Sequence, residues 1–249
     1  MSRLLAKENS GPGQSEADPS ALLQLKRFRS TQIVFIALFT SLLALFVIMI
    51  AIIGIESNAE KRNYQKAINL LYQEIVYQKE QEGLTWLNVE NTVAKGVKLT
   101  FDPSLFSNQQ LFAPARAKIN PYFLPYLNRL VRLLKEVQLD AFFERHPKLL
   151  RYIPVPENQK LIMSLRVEGH TDASRLAKTA LYQSNIELSG FRAYSIMNFI
   201  KLYTHLPGVY FAIAGYGSFR PISDNPLDPL NRRVEIYILP QLVPKGAVQ

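Results

Sequence analysis

The chain has 249 residues, 48% of them hydrophobic and 11% aromatic, which is room and material for one ordinary packed domain with extensions. It has no cysteine, so a disulfide scaffold, a thiolate metal site, a cysteine nucleophile and an acylated-cysteine lipid anchor are all excluded. The formal charge of +9 favours anionic partners, but no dense Lys/Arg run interleaved with aromatics appears, so nucleic acid is not among the expected ones.

Met1–Ala21 is rich in Ser, Gly, Pro and acidic residues and reads as flexible, so residues 1–30 are taken as a tail. Thr31 to Ile55 follows, 25 residues without a charge. As a helix it would span about 37 Å, enough for a hydrocarbon core of about 30 Å. A cleaved signal peptide fits poorly, because the run is long, starts late and lacks a small-x-small site before Glu56. Lys26, Arg27 and Arg29 crowd its N-terminal side, whereas Glu56 and Glu60 open the other. The positive-inside rule therefore puts the N-terminus in the cytoplasm and Glu56–Gln249 outside it. In a bacterium these are a single-pass inner-membrane topology and a periplasmic C-terminal domain. Within the span, Ala37 and Ser41, then Thr40 and Ala44, are small residues four apart, a spacing that lets helices approach and that is also simply common in membrane helices.

Residues 56–95 are expected to form a helical spacer. Tyr64, Ile68, Leu71 and Ile75 make one stripe, suited to a short coiled-coil seam or to packing on the domain that follows. From there strand and helix patterns alternate. Val97, Leu99 and Phe101 have strand period, and Phe123–Gln138 has helical period with Leu127, Leu130, Val131, Leu134 and Val137 inward. Asp140–Gln159, punctuated by Pro147, Pro154 and Pro156, reads as a surface excursion with enough apolar residues to dock. Leu161, Met163, Leu165 and Val167 mark a second strand. Ser189–Tyr203 is a second helix, Val209, Phe211 and Ile213 a third strand, and Val234, Ile236 and Ile238 a fourth. The β-α-β-α-β order implies an α+β sandwich with the helices on one face of a mixed sheet, preceded by one transmembrane helix.

Four blocks carry the chemistry: Gly169-His170-Thr171-Asp172 at a strand end, Asn185-Ile186-Glu187-Leu188-Ser189-Gly190-Phe191-Arg192-Ala193 at a helix start, Gly215-Tyr216-Gly217, and Asn231-Arg232-Arg233-Val234-Glu235. Together, in this order, they resemble the OmpA-like peptidoglycan-binding domain family, over residues 96–240 with a short tail at 241–249. The resemblance implies a ligand, the diaminopimelate residue of the peptidoglycan stem peptide, which presents an ammonium beside a carboxylate. Asp172 matches the family's acid for the ammonium. Arg192 matches its arginine, a bidentate partner for the carboxylate. It is expected in the first turn of its helix, where free N–H groups and the helix dipole add to the carboxylate's binding. Thr171, Asn185, Arg232 and Arg233 complete the candidate set, Asn185 as a loop support. By strand alternation, one of Arg232 and Arg233 should face the site or a helix and the other solvent. Extra residues at Ser174–Tyr182 depart from the family pattern and would lengthen a helix beside the pocket or partly cover it.

No G-x-S-x-G elbow accompanies His170 and Asp172, and His146, His170 and His205 lack metal-ligand spacing, so neither an enzyme nor a metal or other cofactor is expected. One span, a spacer and this domain are also the layout of MotB-type stator subunits, which carry an ion on an aspartate in the span. Here the span has no Asp or Glu. An intramembrane acid is kept only for function, so the favoured reading is a non-conducting anchor tying a membrane assembly, such as a secretion apparatus, to the wall. The alternative is a stator-like subunit whose ion site lies on a partner, with Thr31, Gln32, Thr40 and Ser41 able to offer only neutral ligands. Either way the expected partners are peptidoglycan, membrane-embedded proteins and a second copy of the chain.

Overall fold

The structure is a computed structural model that describes residues 19–247 except 93, 108 and 152. Residues 1–18 of the expected tail lie outside the described residues. The chain divides into two compact units, Met1–Ser57 and Asn58–Gln249, and the helix α1, Pro19–Gln81, contributes to both. The helix therefore begins earlier than the expected span and continues through much of the expected spacer. Between Ser20 and Gln81 there is no proline and a single glycine, Gly54, and an isolated glycine is tolerated. Pro19 suits a first turn. Gly83, at φ +58°, takes the left-handed position that closes a helix.

In the first unit, Lys26–Ala51 is long and apolar enough to cross a membrane, with a mean hydropathy of 3.0 and none of its most apolar window buried. Its large side chains, Phe35, Leu38, Phe39 and Leu45 among them, point outward all round the helix. A helix apolar on every side and uncovered by protein requires an apolar solvent, which the bilayer supplies. The hydroxyls of Thr31 and Thr40 each donate to a carbonyl of the preceding turn, Arg27 O and Ala37 O at 3.0 Å, so both are satisfied within the helix.

The second unit is a five-stranded mixed sheet in the order β1-β2-β5-β3-β4, where β1 is Leu87–Thr92, β2 Gly96–Phe101, β3 Gln159–Gly169, β4 Phe211–Gly215 and β5 Val234–Pro244. Among the described residues only β3 and β4 pair parallel. The right-handed crossover rule for parallel pairs explains why their connection carries the helix α5, Asn185–Thr204. The other helices are α2, Leu124–Val137, and the short α3, Phe142–Arg145, and α4, Pro147–Leu150. Alternation sends Val97, Leu99, Leu165, Val167, Val234, Ile236 and Ile238 to one face of the sheet, where they join Leu127, Leu130 and Leu134 of α2 and Ala193, Ile196 and Ile200 of α5 in one core. The helices thus cover one face, as the sequence pattern implies.

The structure decides between the two readings of the α1 stripe, adds a strand inside the expected spacer and docks the 140–159 excursion. The stripe of α1 belongs to this core: Ala67, Ile68, Leu71 and Ile75 are buried in it, so the segment packs on the domain. β1, inside the expected spacer, forms a hairpin with β2, Leu87 opposite Phe101 and Thr92 opposite Gly96. Its pattern is faint because, as an edge strand, it buries only Leu87 fully. The excursion at 140–159 folds into α3 and α4 and sends Phe142, Phe143 and Ile153 into the core. Arg145 and His146 then meet Glu74 of α1 at 3.1 and 2.7 Å. Every buried side chain among the described residues lies in Asn58–Gln249, so this unit carries its own complete core.

Candidate binding site

The four sequence blocks converge at the C-terminal ends of β3 and β4. What brings them together is close backbone approach. A Cβ on Gly169 would fall 2.0 Å from Ser189 O of α5, and one on Gly215 would fall 2.5 Å from Gly190 N. Only glycine lets the start of α5 settle against both strand ends. The buried Ser189 hydroxyl then donates to Ile186 O at 2.8 Å and accepts from Gly217 N at 2.9 Å, tying the G-x-G turn to the helix. Thr171 N donates to Gly217 O at 2.9 Å from the other side. Asn231, almost fully buried, accepts from Ile222 N and Ser223 N and donates to Asn225 O, and so holds the loop before β5. Ser189 and Asn231 are framework residues that the sequence reading passed over. Both stood inside the motif blocks, but a framework hydrogen bond has no periodic signature.

Asp172 is 6% exposed. Its Oδ1 accepts from Ser174 N at 3.3 Å and its Oδ2 from Arg232 Nη1 at 3.1 Å. Asn185 donates to Asp172 O at 3.3 Å and Ser174 O at 3.0 Å, bracing the turn that presents the acid. The Thr171 hydroxyl is buried and makes no hydrogen bond. Arg192 is also 6% exposed. Its Nε donates to Arg116 O at 3.0 Å and its Nη2 to Ala113 O at 3.4 Å, with the guanidinium 5.2 Å from the centre of the Phe112 ring. Among the described residues no carboxylate lies within ion-pair distance of it. Burial, and then the nearby charge of Arg232, push its pKa down to about 10, against a smaller opposing effect of Asp172.

Arg192 is not in the first turn. α5 starts at Asn185, capped by Ser184 accepting from Glu187 N, so the arginine sits about two turns in and away from the free N–H groups. The insertion at 174–182 is irregular and adds no helix, and Tyr182 packs on Phe191 at 5.2 Å between ring centres. Arg232 and Arg233 precede β5, which begins at Val234, so strand alternation does not sort them. Both turn inward: Arg232 to Asp172, and Arg233 to Glu235 at 2.6 Å and to Arg220 O at 3.2 Å.

Beside the site, the sheet face away from the helices carries an ion network. Glu168 and Glu235 are cross-strand partners, and His170 stands near them, its Nε2 3.7 Å from Glu235 Oε2. Donor atoms of these three buried residues lie within 4.8 Å of one another, a grouping the scattered histidines gave no hint of. Its carboxylates already face cations. Lys95 reaches Glu168 at 2.9 Å, with Arg166 and Arg220 at 3.8 and 4.0 Å, and Arg233 reaches Glu235. Four cations around two carboxylates oppose a bound cation, so the cluster reads as an internal ion network. Burial tends to raise the Glu235 carboxyl. The His170 ring, the Tyr237 hydroxyl at 2.7 Å and Arg233 outweigh it and hold the group far below the usual carboxylate range.

A mixed β1-β2-β5-β3-β4 sheet with helices on one face is the fold that this chain shares with a MotB-like protein of known structure. A MotB-like protein from Desulfovibrio vulgaris superposes on the chain with a TM-score of 0.51, covering 73% of this chain and 99% of that one at 20% identity. In sequence, the chain is 31% identical over 120 residues to motility protein B of Bacillus subtilis (strain 168), a match over 44% of this chain and 46% of that protein. It is 40% identical over 83 residues to YtxE of the same organism, described as uncharacterized, over 32% of this chain and 34% of that one. The chain thus spans a third to just under half of the curated relatives it matches. No family model matches it.

Proposed function

We propose that the chain is a single-span membrane protein whose Asn58–Gln249 unit lies outside the cytoplasm and anchors a membrane assembly to the cell wall, by non-covalent binding of the peptidoglycan stem peptide. The observation that carries this reading is the pairing of an acid with a cation in excess. Asp172 is balanced by Arg232, and Arg192 beside them is buried without a counter-ion. A buried charge is unfavourable until it is matched, and a diaminopimelate residue brings both matching groups. Its carboxylate takes the guanidinium N–H groups of Arg192 left free by Ala113 and Arg116, and its ammonium takes Asp172 in exchange for, or alongside, Arg232. Asn185 holds the acid's turn, while Thr171 and Arg233 shape the surroundings. The chemistry proposed for these residues is recognition by charge-assisted hydrogen bonds. A second copy of the chain and membrane-embedded proteins are the proposed protein partners.

The test is sedimentation of Asn58–Gln249 with purified diaminopimelate-type sacculi. Wild type should co-sediment, and Asp172→Ala and Arg192→Ala should each lose binding by ten-fold or more, in line with about 1.5–3 kcal/mol per charge-assisted bond. A folded wild type that stays in the supernatant defeats the reading.

The similarity to motility protein B favours a second reading, a stator-like subunit. The span supplies no acid to carry a proton, and its Thr31 and Thr40 hydroxyls are committed to the helix backbone. Under this reading the ion site belongs to the membrane partner, and deleting the chain would abolish ion-driven rotation rather than merely loosen an assembly.

A further inference from the structure

A cavity of about 490 Å³ opens beside Arg192, bounded also by Arg232 and Arg233 but not by Asp172. Much of its wall is apolar, with Phe101, Phe106, Leu111, Phe112 and Leu230 facing it, while Asn88, Thr100, Gln110 and His170 add neutral polar groups and Glu90 and Glu235 add acids. The volume lies in the range of small-molecule sites, which are typically apolar with a few placed polar groups.

Four cations line this cavity, Lys98, Arg192, Arg232 and Arg233. Three are matched: Lys98 with Glu90 at 2.7 Å, Arg232 with Asp172 at 3.1 Å and Arg233 with Glu235 at 2.6 Å. Arg192 alone has no acid, although it is the most deeply desolvated by its pocket. An apolar wall beside one unmatched guanidinium favours an occupant with an anionic group and an apolar body, by charge complementarity.

We propose that this cavity is a second ligand site, which binds a small organic acid with an apolar body. The acid's carboxylate pairs with Arg192 and its hydrocarbon part lies among the phenylalanines and leucines. This site shares Arg192, Arg232 and Arg233 with the proposed wall contact but does not depend on that contact being right, because neither the apolar wall nor Leu230 takes part in it.

Trp86, the chain's single tryptophan, stacks on Phe101 at 5.8 Å and so reports on the cavity wall. The experiment titrates Asn58–Gln249, which carries its own core, with 4-phenylbutyrate, 4-phenylbutanol and 4-phenylbutylamine while following Trp86 fluorescence. The acid should give a saturable change, and the alcohol and the amine should bind at least ten-fold more weakly. Arg192→Gln should erase the preference for the acid. Leu230→Phe, at a position 43% exposed where a larger ring fills the cavity without invading the core, should weaken the acid at least ten-fold while co-sedimentation with sacculi persists. No saturable response to the acid, equal binding of the alcohol, or full acid binding by a folded Leu230→Phe would each overturn the proposal. Acid binding with no sacculus binding would overturn only the wall reading.

Discussion

Arg192 illustrates what a residue's type reveals and what its surroundings decide. Its place in the N-x-x-L-S-x-x-R-A block marked it in the sequence. Its partners did not show there, because Ala113 and Arg116 lie 79 and 76 residues earlier, in a loop with no periodic pattern. Glu235 is similar: its last place in NRRVE was visible, but its environment was built by β3 and by Tyr237. That environment makes a pH prediction. The native carboxyl is held well below its ordinary value of about 4.5, so the native state keeps it ionised where the unfolded chain would take up a proton. The group's contribution to stability is therefore complete above about pH 4.5 and is lost as pH falls toward the native value. Thermal melts of Asn58–Gln249 should show the midpoint falling on acidification below pH 4.5. In Glu235→Gln the fall should be shallower, from a pH 7 stability already lower by about 1–3 kcal/mol. An unchanged acid dependence in the variant would show that other carboxylates, such as the capping Asp102 and Asp228, dominate it.

At the scale of elements, the sequence was most informative where one face is buried and the other is wet. α2 and β2 have that pattern, and their inward residues were readable one by one. β3 obscures it: Ser164 and Glu168 are as buried as Leu165 and Val167, because loops and ion pairs cover the second face. The end of α1 was ambiguous for a physical reason. A stripe of Tyr64, Ile68, Leu71 and Ile75 serves a coiled-coil partner and a domain core equally well. The structure gives the stripe to the core, with Leu71 and Ile75 fully buried in it. Leu71→Ala in Asn58–Gln249 should therefore lower the unfolding free energy by about 2–5 kcal/mol, as for a core leucine left with a cavity. Urea denaturation of the isolated unit, at concentrations where it is monomeric, measures this. A loss below about 0.5 kcal/mol would return the stripe to the coiled-coil reading, and a fragment cut at Glu82 would then be as stable as one cut at Asn58.

For the whole molecule, the two units were legible by opposite signals, one by the absence of any polar face and the other by alternation. What links them functionally is topology, and that rests on the flanks: Lys26, Arg27 and Arg29 before the span against Glu56, Glu60, Lys61 and Arg62 after it. The net bias is modest, since basic residues stand on both sides, and the rule weighs only those basic residues near the span. The absence of cysteine makes a direct test clean. In spheroplasts, a membrane-impermeant maleimide should label Asn198→Cys, on the exposed side of α5, and should spare Ser2→Cys until the membrane is broken. Replacing Lys26, Arg27 and Arg29 together with glutamate should erode that asymmetry. The opposite labelling pattern would place Asp172 and Arg192 in the cytoplasm, where there is no wall to bind. The anchor reading would then fall on topology alone, whereas the apolar-acid cavity, which needs only a folded domain, would stand in either compartment.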